Sequence, residues 1–357
     1  TKVLKGLIWR FLQQFSTKIV QFLIQVILAR ILMPHDFGLV ILVTVFINIA
    51  KVFVDGGFGQ ALIQSKHVTN ADLSTIFYLN ILVSVVMYSL IFLVAPYVAN
   101  FYGIEILSSL LRVQATVILI EAFVIVQNAL MLRNMLFKHS FLRSGVSILA
   151  QGITGVTLAL LGFGVWALVC GHIVSSVVSV MVLWATIKWR PSRAFGIHGI
   201  KGLIKYGIGI LGTNLVNTTI ANVYSLVIGK AFTAQMLGYY NRGDQFPSLA
   251  AQSVTEPLTA VIFPTMSRMQ GSIYDIKSLM RLIMIMGSFI TFPLMMLMAV
   301  IAEPIVILLL TEKWILCVPF VQLACIKYAF SPIHSANLQA VKAIGRSDIF
   351  LKLSLVK

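Results

Sequence analysis

The sequence predicts an all-α, polytopic integral membrane protein, and its composition and one long uncharged stretch are the two main reasons. Of 357 residues, 59% are hydrophobic and 11% are charged, whereas soluble domains have roughly 45–50% and about 25%. No Asp, Glu, Lys or Arg occurs between Arg143 and Lys188. Because about 20 apolar residues cross a bilayer, this stretch can hold two spans, which turn at Gly162-Phe163-Gly164. The chain is therefore expected to cross the membrane several times.

Apolar runs separated by turn signals predict ten spans and the start of an eleventh. The ten lie near residues 7–29, 37–56, 73–95, 112–132, 142–161, 165–187, 204–228, 245–263, 281–302 and 318–341. The eleventh begins near Ile349. All of the predicted connections are too short to hold a catalytic domain.

The formal charge of +16 could indicate a nucleic-acid partner, so the positions of the cations decide its meaning. With the N-terminus inside, the outer side holds Arg30, Arg112, Lys230, Arg242 and Lys313. The other loop and span-end cations fall on the inner side, as lysines and arginines do in membrane proteins. The charge therefore predicts a multi-pass membrane protein with a cytoplasmic N-terminus and no nucleic-acid partner.

The two halves of the sequence align with each other. A shift of 200 residues places Arg30 on Lys230 and Gly38 on Gly238, and a shift of 209 places Asn128 on Asn337. Both shifts keep the order and direction of the spans, which predicts parallel repeats related by an axis along the membrane normal.

The repeat also predicts the domain organisation. We expect an N-terminal lobe at residues 1–190 with spans one to six, a cytoplasmic linker at 191–203, and a C-terminal lobe at 204–357. The lobes are predicted to be six-helix bundles around a central cavity. Since the second half stops at the equivalent of about residue 148, the last two of at least twelve helices are expected to be missing or incomplete.

Polar residues recur on one face of the first span. They are Arg10, Gln14, Lys18, Gln21 and Gln25, at steps of 4, 4, 3 and 4. A cation near the bilayer centre costs roughly 2.5–3.5 kcal/mol on insertion scales, so this face should line a hydrated cavity rather than contact lipid. The repeat-equivalent seventh span carries Asn214 at the position of Gln14, with Asn217 nearby.

Several further charges lie inside predicted spans. Lys51 and Asp55 are four residues apart in the second span, close enough to pair on a helix. Glu121 in the fourth span and Lys327 in the tenth have no evident partner in the sequence, and Glu256 lies in the eighth. Such groups either hold a bundle together through ion pairs or mark a transport pathway.

The sequence contains no catalytic constellation. It has no carboxylate pair on a sizeable loop and no phosphate-binding glycine loop, and its histidines form no metal-ligand cluster. Cys170, Cys317 and Cys325 show no metal-ligand spacing. We therefore predict no catalytic residue, no metal site and no enzymatic activity, and expect a protein that moves its substrate.

Two segments carry a family resemblance. Residues 34–77, PHDFGLVILVTVFINIAKVFVDGGFGQALIQSKHVTNADLSTIF, and residues 237–249, LGYYNRGDQFPSL, resemble signatures of polysaccharide flippases in the MOP (multidrug/oligosaccharidyl-lipid/polysaccharide) transporter superfamily. The nearest subgroup exports O-antigen, colanic-acid or similar exopolysaccharide units. The resemblance implies two lobes around a V-shaped cavity, and translocation of undecaprenyl-diphosphate-linked oligosaccharide from the cytoplasmic to the periplasmic leaflet.

The resemblance, combined with alternating access, gives each polar group an expected role. We expect the diphosphate to bind the cations Arg10, Lys18, Lys51 and Lys327. The sugars are expected to contact Gln14, Gln21, Gln25, Asn214 and Asn217. A coupled proton or sodium ion would use Asp55, Glu121 or Glu256, and no other cofactor is expected. The expected partners are lipid-linked oligosaccharide, membrane lipids, a polysaccharide polymerase and a chain-length regulator.

Three alternatives remain at this stage. A multidrug or cation antiporter of the same superfamily should have a mainly acidic cavity. A membrane glycosyltransferase or polymerase would need a large extramembrane loop with acidic catalytic residues. A non-transporting member of a polysaccharide assembly complex would fail to complement a flippase-deficient strain.

Overall fold

The computed structural model describes residues 2–65, 68–193, 200–268 and 273–343, and in these ranges every regular element is a helix. The predicted all-α class is therefore confirmed. The elements are α1 (Lys2–Ile31), α2 (Pro34–Asp55), α3 (Phe58–Gln64), α4 (Asn70–Tyr102), α5 (Ile106–Gln114), α6 (Thr116–Ala122), α7 (Ile125–Arg133), α8 (Phe137–Leu160), α9 (Val165–Thr186), α10 (Ile200–Ala231), α11 (Ala234–Arg268), α12 (Ile273–Val300), α13 (Ala302–Leu310), a 3₁₀ helix (Glu312–Cys317), α14 (Val318–Ala329) and α15 (Ser331–Ala343).

Each of the ten predicted spans falls on a helix or a broken series of helices. Within the described ranges, α2, α4, α9 and residues 276–300 of α12 are long and apolar enough to cross a membrane. Two bent series, Ile106–Ala122 with Ile125–Arg133 and Glu312–Ala329 with Ser331–Val341, raise this number to six. The long helices α1, α8, α10 and α11 carry more polar residues, which lowers their mean hydropathy. The predicted eleventh span at Ile349 lies outside the described residues.

Local sequence signals explain where the first long helices begin and end. Pro34 starts α2, and the backbone N–H of Met33 donates to Asp36 Oδ2 at 3.1 Å. A reciprocal pair of bonds between Thr69 and Asp72 caps the start of α4. Gly103 ends α4 with φ +70, a backbone conformation that favours glycine.

The helix boundaries follow the predicted repeat. Helix α1 ends at Ile31 and α2 begins at Pro34, while α10 ends at Ala231 and α11 begins at Ala234, which is a shift of 200 at both boundaries. The predicted fourth and tenth spans, which are repeat equivalents, are also the two that bend, by 46° and 41°. The matching geometry agrees with the internal alignment of the sequence.

The chain forms two compact units, Thr1–Leu237 and Gly238–Lys357. In the first unit, α1 packs on α8 where Ile24 lies against Gly152, and α10 packs on α2 where Leu42 lies against Gly229. A Cβ added at either glycine would overlap the facing side chain. The lobe division at residues 190–204 was based on the repeat rather than on contacts, and it stays a prediction.

Candidate functional site

The first unit contains a polar cavity of about 540 Å³ among its apolar helices. Five titratable side chains line it: Lys51, Asp55, Glu121, Arg143 and His172. Other polar groups in the lining are Gln60, Asn128, Ser144, Ser147, Gln151, Ser175, Ser176 and Ser179. Ionisable groups at membrane depth are costly, so a cavity with this many is a candidate functional site.

An ion pair connects α2 to α6 in the wall of this cavity. Lys51 Nζ lies 2.8 Å from Glu121 Oε1, and Ser176 Oγ of α9 donates to the same oxygen at 3.4 Å. The pairing of Lys51 with Asp55 suggested by their spacing is therefore wrong, and Glu121, which has no evident partner in the sequence, pairs with Lys51. Tertiary packing decided the pairing, because it brings the carboxylate of α6 to the ammonium of Lys51.

Asp55 is engaged by the backbone at the end of α2. Its carboxylate accepts hydrogen bonds from the backbone N–H groups of Gly57 and Gly59. Gly56 and Gly57 have φ values of +53 and +71, so the turn that presents these N–H groups favours glycine. Asp55 therefore fixes the α2–α3 connection at one edge of the cavity.

Two further polar pairs extend the site. Arg143 Nη1 of α8 donates to Asn128 Oδ1 of α7 at 3.1 Å, and a ring nitrogen of His172 contacts the side-chain amide of Gln114. The sequence pattern counts Arg143 among the inner-side cations and does not predict His172 as a site residue. The available signal was spacing: His172, Ser175, Ser176 and Ser179 recur at i, i+3, i+4 and i+7, which places them on one face of α9.

The cavity lies beside the break in the predicted fourth span. Glu121 belongs to the last turn of α6, and the helix resumes at Ile125. Trp184 Nε1 donates to the carbonyl of Phe123 at 3.0 Å and so satisfies a backbone group at the break. Non-helical backbone at membrane depth is tolerated where protein covers it or where it borders a hydrated cavity.

A second polar cluster occurs in the second unit. Lys327 Nζ of α14 donates to Asp244 Oδ1 of α11 at 3.0 Å, and Tyr328 Oη donates to Asp244 Oδ2 at 2.9 Å. Lys327, which has no evident partner in the sequence, thus pairs with Asp244. Lys327 lies in the last turn of α14, close to the second bent span.

The other predicted site residues are not among those lining the cavity of the first unit. On α1, Lys18 and Gln25 are half-buried and Gln21 is exposed. Asn214 and Glu256 are half-buried, and Asn217 is exposed. The side chains of Arg10 and Gln14 lie outside the described part of the structure. The roles of these residues stay predictions, whereas Lys51, Asp55 and Glu121 do come together.

The apolar helices and the charged cavity among them are those of a multi-pass membrane protein. The fold is similar to a solved lipid II flippase MurJ in an inward closed conformation, with a TM-score of 0.78, 16% identity, and coverage of 95% of this chain and 76% of that one. An inward-facing multidrug resistance MATE family transporter of the MOP superfamily matches with a TM-score of 0.66, 15% identity, and coverage of 94% and 83%.

The chain belongs to the polysaccharide biosynthesis protein family, which matches residues 27–319. The chain is 24% identical to the succinoglycan biosynthesis transport protein ExoT of Rhizobium meliloti (strain 1021), over 98% of this chain and 71% of ExoT. It is 27% identical to the teichuronic acid biosynthesis protein TuaB of Bacillus subtilis (strain 168), over 84% of this chain and 62% of TuaB. The chain thus spans about two thirds of the length of these relatives. The predicted membership in a polysaccharide biosynthesis family is confirmed.

Proposed function

We propose that this chain acts in a flippase that moves lipid-linked oligosaccharide repeat units across the bacterial inner membrane for polysaccharide synthesis. The observation that carries the proposal is the charged cavity of the first unit, which combines Lys51, Glu121 and Arg143 inside an apolar bundle. Charge held inside an apolar bundle is costly to keep in a membrane and is typical of a polar substrate or ion pathway. Family membership and the MurJ-like fold support the same class of substrate.

The proposed cargo is undecaprenyl-diphosphate-linked oligosaccharide, moved from the cytoplasmic to the periplasmic leaflet by alternating access. The N-terminus is placed in the cytoplasm on the distribution of lysines and arginines. In this scheme the diphosphate binds Arg10 and Lys18, while the lipid tail stays in the bilayer. Lys51 could join them only after leaving Glu121, because the two are paired at 2.8 Å.

This competition suggests a means of coupling. A diphosphate that takes Lys51 would remove the cation paired with Glu121 at 2.8 Å and leave only the more distant Arg143, so the carboxylate would gain from binding a proton or a sodium ion. Asp55 lines the same cavity, and Glu256 on α11 is a third candidate. A polymerase and a chain-length regulator that consume the exported unit would draw transport in the same direction.

The multidrug antiporter is the main rival, since the MATE fold is also similar. The cavity lining contains two cations, Lys51 and Arg143, and two acids, Asp55 and Glu121. A site for a cationic drug is expected to have an excess of acids, so this balance favours the flippase.

The test is reconstitution of the full-length protein in liposomes with fluorescent lipid-linked oligosaccharide. We expect protein-dependent exchange between leaflets, and a rate that changes when a proton or sodium gradient is imposed. Protein-free liposomes are the control. Absence of exchange combined with gradient-driven efflux of a drug cation would replace the proposal with the antiporter. Complementation of a flippase-deficient strain would exclude a non-transporting role.

A further inference from the structure

We propose that Asp244, Lys327 and Tyr328 form a subsite for sugar hydroxyl groups in the second unit. The inference rests on the proposed function and deepens it, because it assigns this cluster to the glycan rather than to the diphosphate. Lys327 was expected from the sequence to bind the anion. Its surroundings point to a different ligand chemistry.

The cluster is a hydrogen-bonded triad of α11 and α14. Asp244 accepts from Lys327 Nζ at 3.0 Å through one oxygen and from Tyr328 Oη at 2.9 Å through the other. Lys327 Nζ also donates to Tyr328 Oη at 3.4 Å. Gln252 Nε2 donates to Ser248 Oγ at 2.9 Å, and these two side chains follow Asp244 at steps of four residues along α11. The face of α11 from Asp244 to Gln252 thus offers both donors and acceptors beside the triad.

The charge of the cluster argues against an anionic ligand. A diphosphate that approached Lys327 would lie beside the Asp244 carboxylate, whose negative charge repels it. A hydroxyl group suffers no such repulsion, because it donates one hydrogen bond and accepts others. It can donate to the remaining lone pairs of the carboxylate and accept from the one ammonium proton that Asp244 and Tyr328 do not use. The pair therefore suits a neutral, hydroxyl-rich ligand.

The position of the cluster places it beside a broken span. Lys327 lies in the predicted tenth span and Asp244 directly precedes the predicted eighth, and a charged side chain inside a span faces a hydrated space or a polar partner rather than lipid. Lys327 and Tyr328 come just before the 41° bend between α14 and α15, and broken helices of transporters commonly border their binding sites. A polar cluster at a broken span is therefore placed to meet a substrate.

Binding to the full-length protein in lipid nanodiscs tests the subsite. Two probes are compared: undecaprenyl diphosphate without sugar, and the same lipid carrying the oligosaccharide repeat unit. We expect Asp244→Asn, Lys327→Gln and Tyr328→Phe to weaken binding of the glycan-bearing lipid about tenfold each, since each removes one strong hydrogen bond. Affinity for the sugar-free lipid should stay unchanged. Lys277→Gln and Tyr274→Phe on α12 are matched controls at exposed positions and should change neither affinity.

A charge-swapped protein separates recognition from a structural role. Asp244→Lys combined with Lys327→Asp should keep the ion pair and the thermal stability, yet leave binding of the glycan-bearing lipid weakened, because the donors and acceptors have exchanged places. Full recovery of binding would overturn the subsite. A loss of affinity for both lipids in Lys327→Gln would also overturn it, in favour of an anion site.

Failure of the proposed function would be recognisable in the same experiment. Wild-type protein that binds neither lipid would overturn the flippase and the subsite together. Wild-type binding of the glycan-bearing lipid that all three single variants retain would overturn the subsite alone.

Discussion

Lys51 Nζ lies 2.8 Å from Glu121 Oε1, and this ion pair connects α2 to the broken fourth span. In the second unit, Asp244 and Lys327 connect α11 to the broken tenth span at 3.0 Å. Under the repeat, α2 corresponds to α11 and the fourth span to the tenth. The two pairs therefore join equivalent helices with opposite polarity, since the cation is on the second span in one unit and on the tenth in the other.

Under the proposed function, this arrangement would give each pair a mechanical role. A break removes helical hydrogen bonds from a span, so its two segments are held in place mainly by neighbouring helices. An interhelical ion pair next to the break adds such a restraint. A ligand that competes for one member of the pair would release the restraint locally, which links binding to helix motion.

A double-mutant cycle should measure the coupling energy between Lys51 and Glu121. Lys51→Gln leaves Glu121 near the cation Arg143, on which it also acts electrostatically, whereas Glu121→Gln leaves Lys51 and Arg143 without their acid. We expect Glu121→Gln to be the more destabilising, by about 1–3 kcal/mol. The double variant should be more stable than the sum of the two effects predicts, by about 1 kcal/mol. Thermal unfolding in detergent gives the stability of the wild type, the two single variants and the double variant. Strict additivity of the stability changes would show that Lys51 and Glu121 are not coupled.

The sequence predicted the helices well and the contacts between them poorly. Composition and turn signals suffice to predict the membrane spans, because a helix that crosses the bilayer must be long and apolar. The partner of Lys51 could not be found this way, since Glu121 is distant in sequence and only packing brings the two together. The partner of Lys327 was hidden for the same reason. The cavity residue His172 was detectable in principle, because a face of serines at helical spacing flanks it.

A close backbone approach makes Gly38 sensitive to substitution. A Cβ added at Gly38 would lie 1.6 Å from the carbonyl oxygen of Ala234, so the two segments would have to separate. We expect Gly38→Ala to destabilise the protein by about 3 kcal/mol, at the upper end of overpacking effects.

Gly145 on α8 supplies the matched control, because a Cβ there meets nothing within 4 Å. Gly145→Ala should leave stability unchanged or raise it by about 0.5–1 kcal/mol, since alanine favours the helix. The melting temperature and the yield of monodisperse protein are measured for both variants and compared with the wild type. Equal behaviour of the two would contradict the close contact at Gly38.

Cysteine labelling tests the proposed orientation. In a protein whose Cys170, Cys317 and Cys325 are replaced, we introduce Leu161→Cys at the α8–α9 turn or Arg193→Cys after α9. Both positions are exposed. A membrane-impermeant maleimide applied to spheroplasts should label Leu161→Cys and spare Arg193→Cys until the membrane is permeabilised. The opposite pattern would place the N-terminus outside and reverse the positive-inside assignment.

Lys18 tests the idea that the polar face of α1 serves the substrate. Its side chain is half-buried on a helix whose other face packs through Ile24 against α8. If it attracts the diphosphate, Lys18→Ala and Lys18→Glu should abolish surface polysaccharide and Lys18→Arg should retain it, because only the arginine keeps the charge. Immunoblotting of membranes checks that all variants insert. Arg30→Glu, in the last turn of the same helix, is the control and should preserve export, since Arg30 is assigned to the outer surface. Wild-type levels of polysaccharide in Lys18→Glu would remove Lys18 from the substrate pathway and leave it as a helix-packing residue.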